Sequence, residues 1–109
     1  MSDKMLTYTD QNWSQEVLGS TQPVLVDFWG EWCVPCKTLV PTLEAVAEHF
    51  GDRIKVGKLN VEDNDEVPYK YNVTTLPTLM IFKAGQVSEQ RVGLISKDEL
   101  IRLINSHLS

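Results

Sequence analysis

The chain has 109 residues, of which 42% are hydrophobic and 23% are charged. These values are typical of a globular protein, and the length predicts one domain over residues 1–109 with a single core. Fifteen acidic residues against ten basic ones give a net charge of −5, which argues against nucleic acid and anionic membranes as partners.

The N-terminal residues do not resemble a targeting segment. Residues 1–6 lack the basic region and the apolar core of a signal peptide, and no apolar run approaches the roughly 18 residues that cross a membrane. We therefore expect a protein of the reducing cytoplasm that does not enter a membrane.

The first part of the chain alternates strand and helix. Met5–Tyr8 predicts a short strand, and either Thr9 or Asp10 is a suitable cap for a helix that reaches about residue 18. Val24–Trp29 is apolar without alternation, which predicts a central strand covered on both faces. Only Asp27 interrupts that apolar run.

A long helix is predicted after the two cysteines. Apolar residues spaced by three or four positions form its buried face, namely Leu39, Leu43, Val46, Ala47 and Phe50. Pro41 predicts a kink, and Gly51 predicts the end of the helix. This helix is expected to pack on the sheet.

The remaining elements complete the order β-α-β-α-β-α-β-β-α. Strands are predicted at residues 54–60, 78–82 and 87–92, with a short helix within 62–71 and a hairpin turn at 83–86. Ser96 and Glu99 form a capping box that opens the last helix. Its buried face is expected to contain Leu100, Ile101, Ile104 and Leu108. Such alternation predicts a mostly parallel sheet with an antiparallel hairpin and helices on both faces.

The two cysteines, Cys33 and Cys36, are placed where the second strand ends and the second helix begins. Unpaired N–H groups and the helix dipole stabilise a thiolate in the first turn and lower the pKa of its thiol. Pro35 fits this turn because its missing N–H costs nothing there. We expect Cys33 to be an exposed nucleophile and Cys36 to lie one turn deeper. The pair is predicted to cycle between dithiol and disulfide.

Three other interpretations of the cysteine pair are an inert buried pair, a structural disulfide and half of a metal site. A structural disulfide across three residues would remove little entropy from the unfolded chain. His49 continues a zinc-finger spacing, but no fourth ligand follows at residues 53–55. We therefore favour redox activity, with no metal and with an exposed His49.

The segment Trp-Cys-x-Pro-Cys-Lys at residues 32–37, which follows a strand ending in Asp-Phe-Trp, resembles the thioredoxin family. The resemblance extends over about residues 6–108. It implies an α/β fold, a three-layer sandwich with a central five-stranded mixed sheet and four helices, and the activity of a protein-disulfide reductase and electron carrier. One position departs from the family pattern, because Val34 stands where thioredoxins usually carry glycine.

The resemblance also assigns catalytic roles. Cys33 would attack a partner's disulfide, and Cys36 would resolve the mixed disulfide. Asp27 matches the family's buried aspartate and would serve as the base for Cys36, since a desolvated carboxyl has a raised pKa; from the residues alone, a solvated aspartate at a strand end is as good an interpretation. Lys58 matches the lysine that tunes this aspartate, although without the resemblance it reads as a surface charge.

A second group of residues matches the family's partner-binding surface. Leu76 and Pro77 match a turn whose proline is cis and faces the cysteines, although most X-Pro bonds in proteins are trans. Trp32 is expected to be an exposed aromatic beside the nucleophile, with Trp29 packed beneath it in the core. Gly93 matches the glycine of the binding surface, and it could equally be a strand stop.

Val34 and Pro35 stand beside the nucleophile on the same expected surface. Val34 replaces bare backbone with a stiff, branched apolar side chain. We therefore predict that it changes the reduction potential and narrows the choice of partner. Thr75 stands where the family usually has a small residue, which puts the fit of partner chains there in question.

The expected partners are proteins that carry disulfides and a thioredoxin reductase, flavin- or iron–sulfur-dependent, that returns electrons. The chain itself is expected to bind no cofactor and to act as a monomer. Two other functions stay open: a non-catalytic adaptor that uses the thioredoxin surface, and a disulfide oxidant or isomerase of an oxidising compartment. The retained cysteines weigh against the first, and Val34-Pro35, in place of a His-containing dipeptide, weighs against the second.

Overall fold

The structure is a computed structural model that describes residues 5–108. Residues 1–4, on which the expectation of no signal peptide partly rests, lie outside the described residues, as does residue 109. The strands are β1 (Met5–Tyr8), β2 (Val24–Trp29), β3 (Lys55–Asn60), β4 (Thr78–Lys83) and β5 (Gln86–Val92). The helices are a π-helix (Ser14–Leu18), α1 (Val34–Phe50), α2 (Glu66–Lys70) and α3 (Lys97–Asn105), with a 3₁₀ turn (Gly51–Arg53) after α1.

The five strands form one mixed sheet in the order β1-β3-β2-β4-β5. The strands β1, β3 and β2 are parallel, whereas β4 is antiparallel to both β2 and β5. The central strand β2 is buried along its first five residues, because it has a neighbouring strand on each side and side chains packed on each face. The predicted five-stranded mixed sheet with four helices is confirmed.

Two hydrophobic clusters lie on opposite faces of the sheet. One packs α1 and α3 against the sheet and includes Leu39, Leu43, Phe50, Leu100 and Ile104. The other packs the π-helix and α2 against it and includes Trp13, Val17, Val67, Phe28 and Phe82. The molecule therefore has three layers, as predicted. None of the helices within residues 5–108 has the length and apolar character needed to cross a membrane.

The first helical segment differs from the prediction. It is a π-helix in which the Gly19 N–H donates to the Ser14 carbonyl at 2.9 Å, with Trp13 buried before it. The Lys55 ammonium donates to the Glu16 carbonyl at 2.6 Å, so a residue of β3 satisfies a carbonyl of this helix. Such a contact between distant segments leaves no local pattern in the sequence.

Of the two residues predicted as alternative caps of the first helix, Thr9 acts locally and Asp10 does not. The Asp10 carboxylate accepts the N–H groups of Glu66 at 3.1 Å and Val67 at 2.9 Å, and thus caps α2 rather than the helix that follows Asp10 in sequence. Thr9 does act locally, because its hydroxyl accepts the Asn12 N–H at 3.0 Å. Asp10 can reach α2 because the loops after the parallel strands β1 and β3 meet at the same edge of the sheet.

The last helix is shorter than predicted. Ser96 caps it by accepting the Glu99 N–H at 3.2 Å, as the capping box indicates. The helix ends at Asn105, so Leu108 lies in the turn beyond it and still packs against the core. An ion pair between Arg91 and Glu99, 3.0 Å apart, links the side chains of β5 and α3.

Candidate active site

The two cysteines lie between the end of β2 and the start of α1 and form a disulfide with their Cα atoms 5.3 Å apart. Cys33 is the N-cap of α1, and its Sγ accepts the N–H of Cys36 at 3.2 Å. The Cys33 N–H in turn donates to the Gly30 carbonyl at 3.1 Å. The sulfur of Cys33 therefore faces the unpaired N–H groups of a helix, as the sequence predicts.

The expectation that Cys33 is exposed is wrong for this disulfide form. Cys33 is 4% exposed and Cys36 is 1% exposed. The sulfur of Cys33 is bonded to Cys36 and also faces the Cys36 N–H, so much of its surface is turned toward the helix. The neighbouring side chains are open to solvent, with Trp32 68% and Val34 70% exposed.

The first turn of α1 supplies the positive electrostatic environment of the sulfur. Pro35 lies in this turn, where a proline removes no helical hydrogen bond. Lys37 is the nearest cation in sequence, and its ammonium pairs with the Glu31 carboxylate at 3.7 Å, both side chains being well exposed. Backbone dipoles, rather than Lys37, are therefore the main stabilising feature for an anion at Cys33.

Asp27 is fully buried in the centre of the sheet. Within residues 5–108 neither of its carboxylate oxygens has a hydrogen-bond partner. Burial raises the pKa of Asp27 from 3.8 to about 7, and the positive charge of Lys58 opposes that rise. The predicted burial of Asp27 is confirmed, and its carboxyl can exchange a proton near neutral pH.

Lys58 lies on β3 directly beside Asp27 in the pairing of the two strands. In the described part of the chain its ammonium makes no ion pair with Asp27; it lies 4.9 Å from the centre of the Trp29 ring. Trp29 is only partly buried, which corrects the expectation that it belongs to the core. Lys58 therefore acts on Asp27 through space rather than through a hydrogen bond.

The turn before β4 contains a cis peptide bond between Leu76 and Pro77. The Pro77 carbonyl accepts the N–H of Gly93 at 2.9 Å, which joins the turn to the end of β5. Gly93 has a φ of +91°, a backbone conformation that favours glycine. The Thr78 hydroxyl donates to the Thr75 carbonyl at 2.5 Å and closes the turn. Pro77 and Gly93 are thus held together.

Gly30 lies where the turn at Leu76 contacts the segment that leads to Cys33. A Cβ at position 30 would lie 3.2 Å from the indole nitrogen of Trp32 and 3.3 Å from a methyl carbon of Leu76. Both side chains therefore lie directly on the Gly30 backbone, and a larger residue would displace them. No local sequence pattern marks Gly30, since its role depends on a contact with a turn 46 residues away in sequence.

The structure gathers most of the predicted site residues at one end of the sheet. These residues are Cys33, Cys36, Trp32, Val34, Pro35, Leu76, Pro77 and Gly93. Asp27 and Lys58 lie within the sheet itself, on β2 and β3. Glu62 also belongs to this region, although no sequence pattern predicts it: its carboxylate accepts the Glu31 N–H at 2.6 Å.

No metal site is present within residues 5–108, where no three His, Cys, Asp or Glu side chains are grouped to hold an ion. His49 is exposed on α1, and its ring packs edge-on against Phe50 with the ring centres 4.8 Å apart. The predicted exposure of His49 is confirmed.

Comparison with known proteins agrees with the geometry. The family model described as Thioredoxin matches residues 4–106. The chain is 44% identical over 108 residues to the thioredoxin of Acidithiobacillus ferridurans, which covers 99% of this chain and 100% of that one. It is 43% identical over 108 residues to the thioredoxin of Pseudomonas aeruginosa, with the same coverage. A thioredoxin of Rickettsia bellii is 44% identical over 100 residues, or 92% of this chain and 95% of that one.

The chain belongs to the thioredoxin family. Thioredoxins exchange their own dithiol with the disulfides of other proteins, and this thioredoxin carries its disulfide at the start of α1. It is therefore a thiol–disulfide oxidoreductase of the protein-disulfide reductase type. The adaptor and the oxidant or isomerase are not favoured by these findings.

Proposed function

We propose that Cys33 is the nucleophile and Cys36 the resolving thiol of a two-step exchange. The Cys33 thiolate attacks one sulfur of a partner's disulfide, a mixed disulfide forms, and the other partner sulfur leaves as a thiolate. The Cys36 thiolate then attacks Cys33, and the second partner sulfur leaves. The partner gains two electrons, and Cys33 and Cys36 return to the disulfide that the structure contains.

The observation that carries this assignment is the position of Cys33 as the N-cap of α1. Its Sγ accepts the Cys36 N–H at 3.2 Å, so a hydrogen bond and a helix dipole both favour the anion at Cys33. Cys36 is the third residue of the helix itself, and both cysteines are buried in the disulfide form. This asymmetry supports Cys33 as the first attacking sulfur and Cys36 as the second.

Asp27 is proposed to take the proton of Cys36 in the second step. Its pKa of about 7 matches a group that must accept and release a proton near neutral pH. Lys58 is proposed to limit the rise of that pKa, because its charge favours the carboxylate. The oxygens of Asp27 have no hydrogen-bond partner within the described chain, which leaves them available for proton transfer.

The rim of the site is proposed to bind the partner chain. It consists of Trp32, Val34, Pro35, Leu76, Pro77 and Gly93, which lie at the same end of the sheet as the cysteine pair. The Cys-Val-Pro-Cys sequence is proposed to be an atypical form of the family motif. Val34 is its distinctive residue, and its exposed side chain stands beside the sulfur that a partner must reach.

Replacement of Val34 by glycine should broaden the range of substrates. Removing an apolar side chain that is 70% exposed opens the approach to Cys33. We expect kcat/KM for poorly used protein disulfides to rise about threefold to tenfold relative to the best substrate, which corresponds to about 1 kcal/mol. The reduction potential should also change.

Both quantities are measured on the wild type, Val34→Gly and a control, Val87→Gly. Val87 is also an exposed valine, and it lies at the far end of β5. Unchanged potential and unchanged rate ratios in Val34→Gly would contradict the proposal.

The proposed partners are disulfide-containing proteins and a thioredoxin reductase of either the flavin or the iron–sulfur type. The proposed location is the cytoplasm, where reductases keep thiols reduced, and the proposed state is a monomer of one domain over residues 1–109. No cofactor is required by the chain itself, because the two cysteines carry the electrons.

The assignment of the two sulfurs can be tested by trapping. A Cys36→Ser variant should form a stable mixed disulfide with a protein substrate, because nothing displaces the partner from Cys33. A Cys33→Ser variant should form much less of it. The complexes are counted on non-reducing gels and by mass spectrometry, before and after addition of dithiothreitol. Equal trapping by the two variants, or trapping only by Cys33→Ser, would contradict the assignment.

A further inference from the structure

One side chain fixes the backbone of the loop that leads to Cys33. The carboxylate of Glu62, in the loop between β3 and α2, accepts the Glu31 N–H at 2.6 Å. Among the described residues it is the only side chain that bonds to the backbone of residues 30–32. We call residues 30–32 the reactive loop, because they lead directly to the N-cap Cys33.

The loop that carries Glu62 is itself fixed by side chains. The Glu62 N–H donates to the Asn60 side-chain carbonyl at 2.8 Å, and the Asn64 amide donates to the Asn60 backbone carbonyl at 3.0 Å. Asn64 is 5% exposed, and its own carbonyl accepts the Asp10 N–H at 2.8 Å. Asp10 also caps α2. Glu62 therefore extends from a well-anchored segment.

The reactive loop has few other restraints. The Cys33 N–H donates to the Gly30 carbonyl and the Trp32 indole packs on Gly30, so these two contacts join residues within 30–33. The Leu76 side chain also lies on Gly30, but this apolar contact makes no hydrogen bond to the loop. The Lys37 to Glu31 ion pair is exposed and long at 3.7 Å, so it contributes little. The bond from Glu62 is thus the one side-chain hydrogen bond, among the described residues, that joins this backbone to another part of the fold.

We propose that Glu62 is a positioning residue for disulfide exchange. Its carboxylate oxygen holds the Glu31 amide, and so holds the reactive loop and Trp32 in the geometry that a partner meets on its way to Cys33. This inference rests on the proposed function of Cys33. Reaction rates depend steeply on such placement, since small displacements of a reacting group cost much of the rate.

The hydrogen bond and the charge of Glu62 can be separated by two substitutions. Glu62→Gln removes the charge but keeps a carbonyl oxygen that can accept the Glu31 N–H. Glu62→Ala removes both. Asp63→Ala is the matched control, because Asp63 is an exposed acid in the same loop and has no bond to the reactive loop. All three variants change the net charge by the same amount.

The test of Glu62 measures the rate of insulin reduction and the rate of amide hydrogen exchange for the wild type and the three variants. Loss of one hydrogen bond corresponds to about 1 kcal/mol, so we expect kcat/KM of Glu62→Ala to fall about fivefold. We expect Glu62→Gln and Asp63→Ala to stay within about twofold of the wild type. Hydrogen exchange of the Glu31 amide, followed by NMR, should be about fivefold faster in Glu62→Ala and unchanged in Glu62→Gln.

The outcomes are distinct. A Glu62→Gln variant as slow as Glu62→Ala would overturn the inference, because charge and not the hydrogen bond would then be responsible. A Glu62→Ala variant equal to Asp63→Ala in rate would overturn it as well. A wild-type protein that reduces no insulin would instead refute the proposed function, whatever the exchange rate of the Glu31 amide.

Discussion

Replacement of Cys33 by serine should lower the rate of insulin reduction by at least about 10³-fold, to the background of dithiothreitol alone. The serine hydroxyl does not ionise near neutral pH, so the helix N-terminus has no thiolate to stabilise. The loss should exceed that of any single substitution in the rim of the site, because the proposed role of the rim is to orient the partner, whereas Cys33 is the proposed nucleophile.

The assay for Cys33 follows the precipitation of reduced insulin with dithiothreitol as the electron source. Asp63→Ala serves as the control, and circular dichroism establishes that Cys33→Ser remains folded. The disulfide joins residues only three positions apart, so its removal gives the unfolded chain little additional entropy and costs the protein little stability. Insulin reduction by Cys33→Ser at more than one tenth of the wild-type rate would remove the proposed nucleophile.

Replacement of Asp27 by asparagine should stabilise the disulfide form of the protein above neutral pH. The native state holds the Asp27 proton up to a pH of about 7, whereas an unfolded aspartate releases it near 3.8. The buried Asp27 therefore does not reduce the free energy of unfolding below pH 4. The penalty grows as the pH rises toward 7 and is complete above that. At 1.36 kcal/mol per pKa unit, the full penalty is about 4 kcal/mol.

The free energy of unfolding of the wild type and Asp27→Asn should thus diverge between pH 4.5 and 8. We expect the two proteins to differ little at the lower pH, and Asp27→Asn to be more stable by about 4 kcal/mol at pH 8. Guanidinium titrations at four or five pH values measure this difference. Asp52→Asn, an exposed acid in the turn after α1, is the control. If the free energies of unfolding of the wild type and Asp27→Asn changed in parallel with pH, the pKa of Asp27 would not be raised in the native state.

Local signals in the sequence predicted most of the fold. The α1 helix ends at Gly51 with a φ of +56°, and the hairpin turns at Ala84 and Gly85 with φ values of +52° and +77°. Ser96 caps α3 as its spacing to Glu99 indicates. In each case the residue type acts within four positions of itself, so its neighbours in sequence are also its neighbours in space.

The errors arose where a residue acts across the sheet. Asp10 has the local pattern of a helix cap, but it caps α2 more than 50 residues away. The Lys55 ammonium of β3 donates to a carbonyl of the π-helix, and Glu62 accepts the Glu31 N–H from another loop. Periodicity and spacing describe contacts along one segment, and these contacts depend on how segments are placed by the parallel strands.

The features of the active site also differ in whether neighbouring residues could predict them. The placement of Cys33 at a helix start and the burial of Asp27 in an apolar strand could both be read from neighbouring residues. The low exposure of Cys33 could not, because it depends on the disulfide itself. The turn at Leu76 and Pro77 was expected from family resemblance, since most X-Pro bonds are trans and local sequence favours the other geometry.

The antiparallel pairing of β2 and β4 places Phe28 opposite Thr78, so the end of one strand and the beginning of the other lie at the same edge. Residues from three separate loops meet there, and none of them contributes to either hydrophobic cluster except Leu76. Exchanges at Trp32, Val34 and Pro35, which belong to neither cluster, are therefore expected to change the proposed partner-binding surface while leaving both cores untouched.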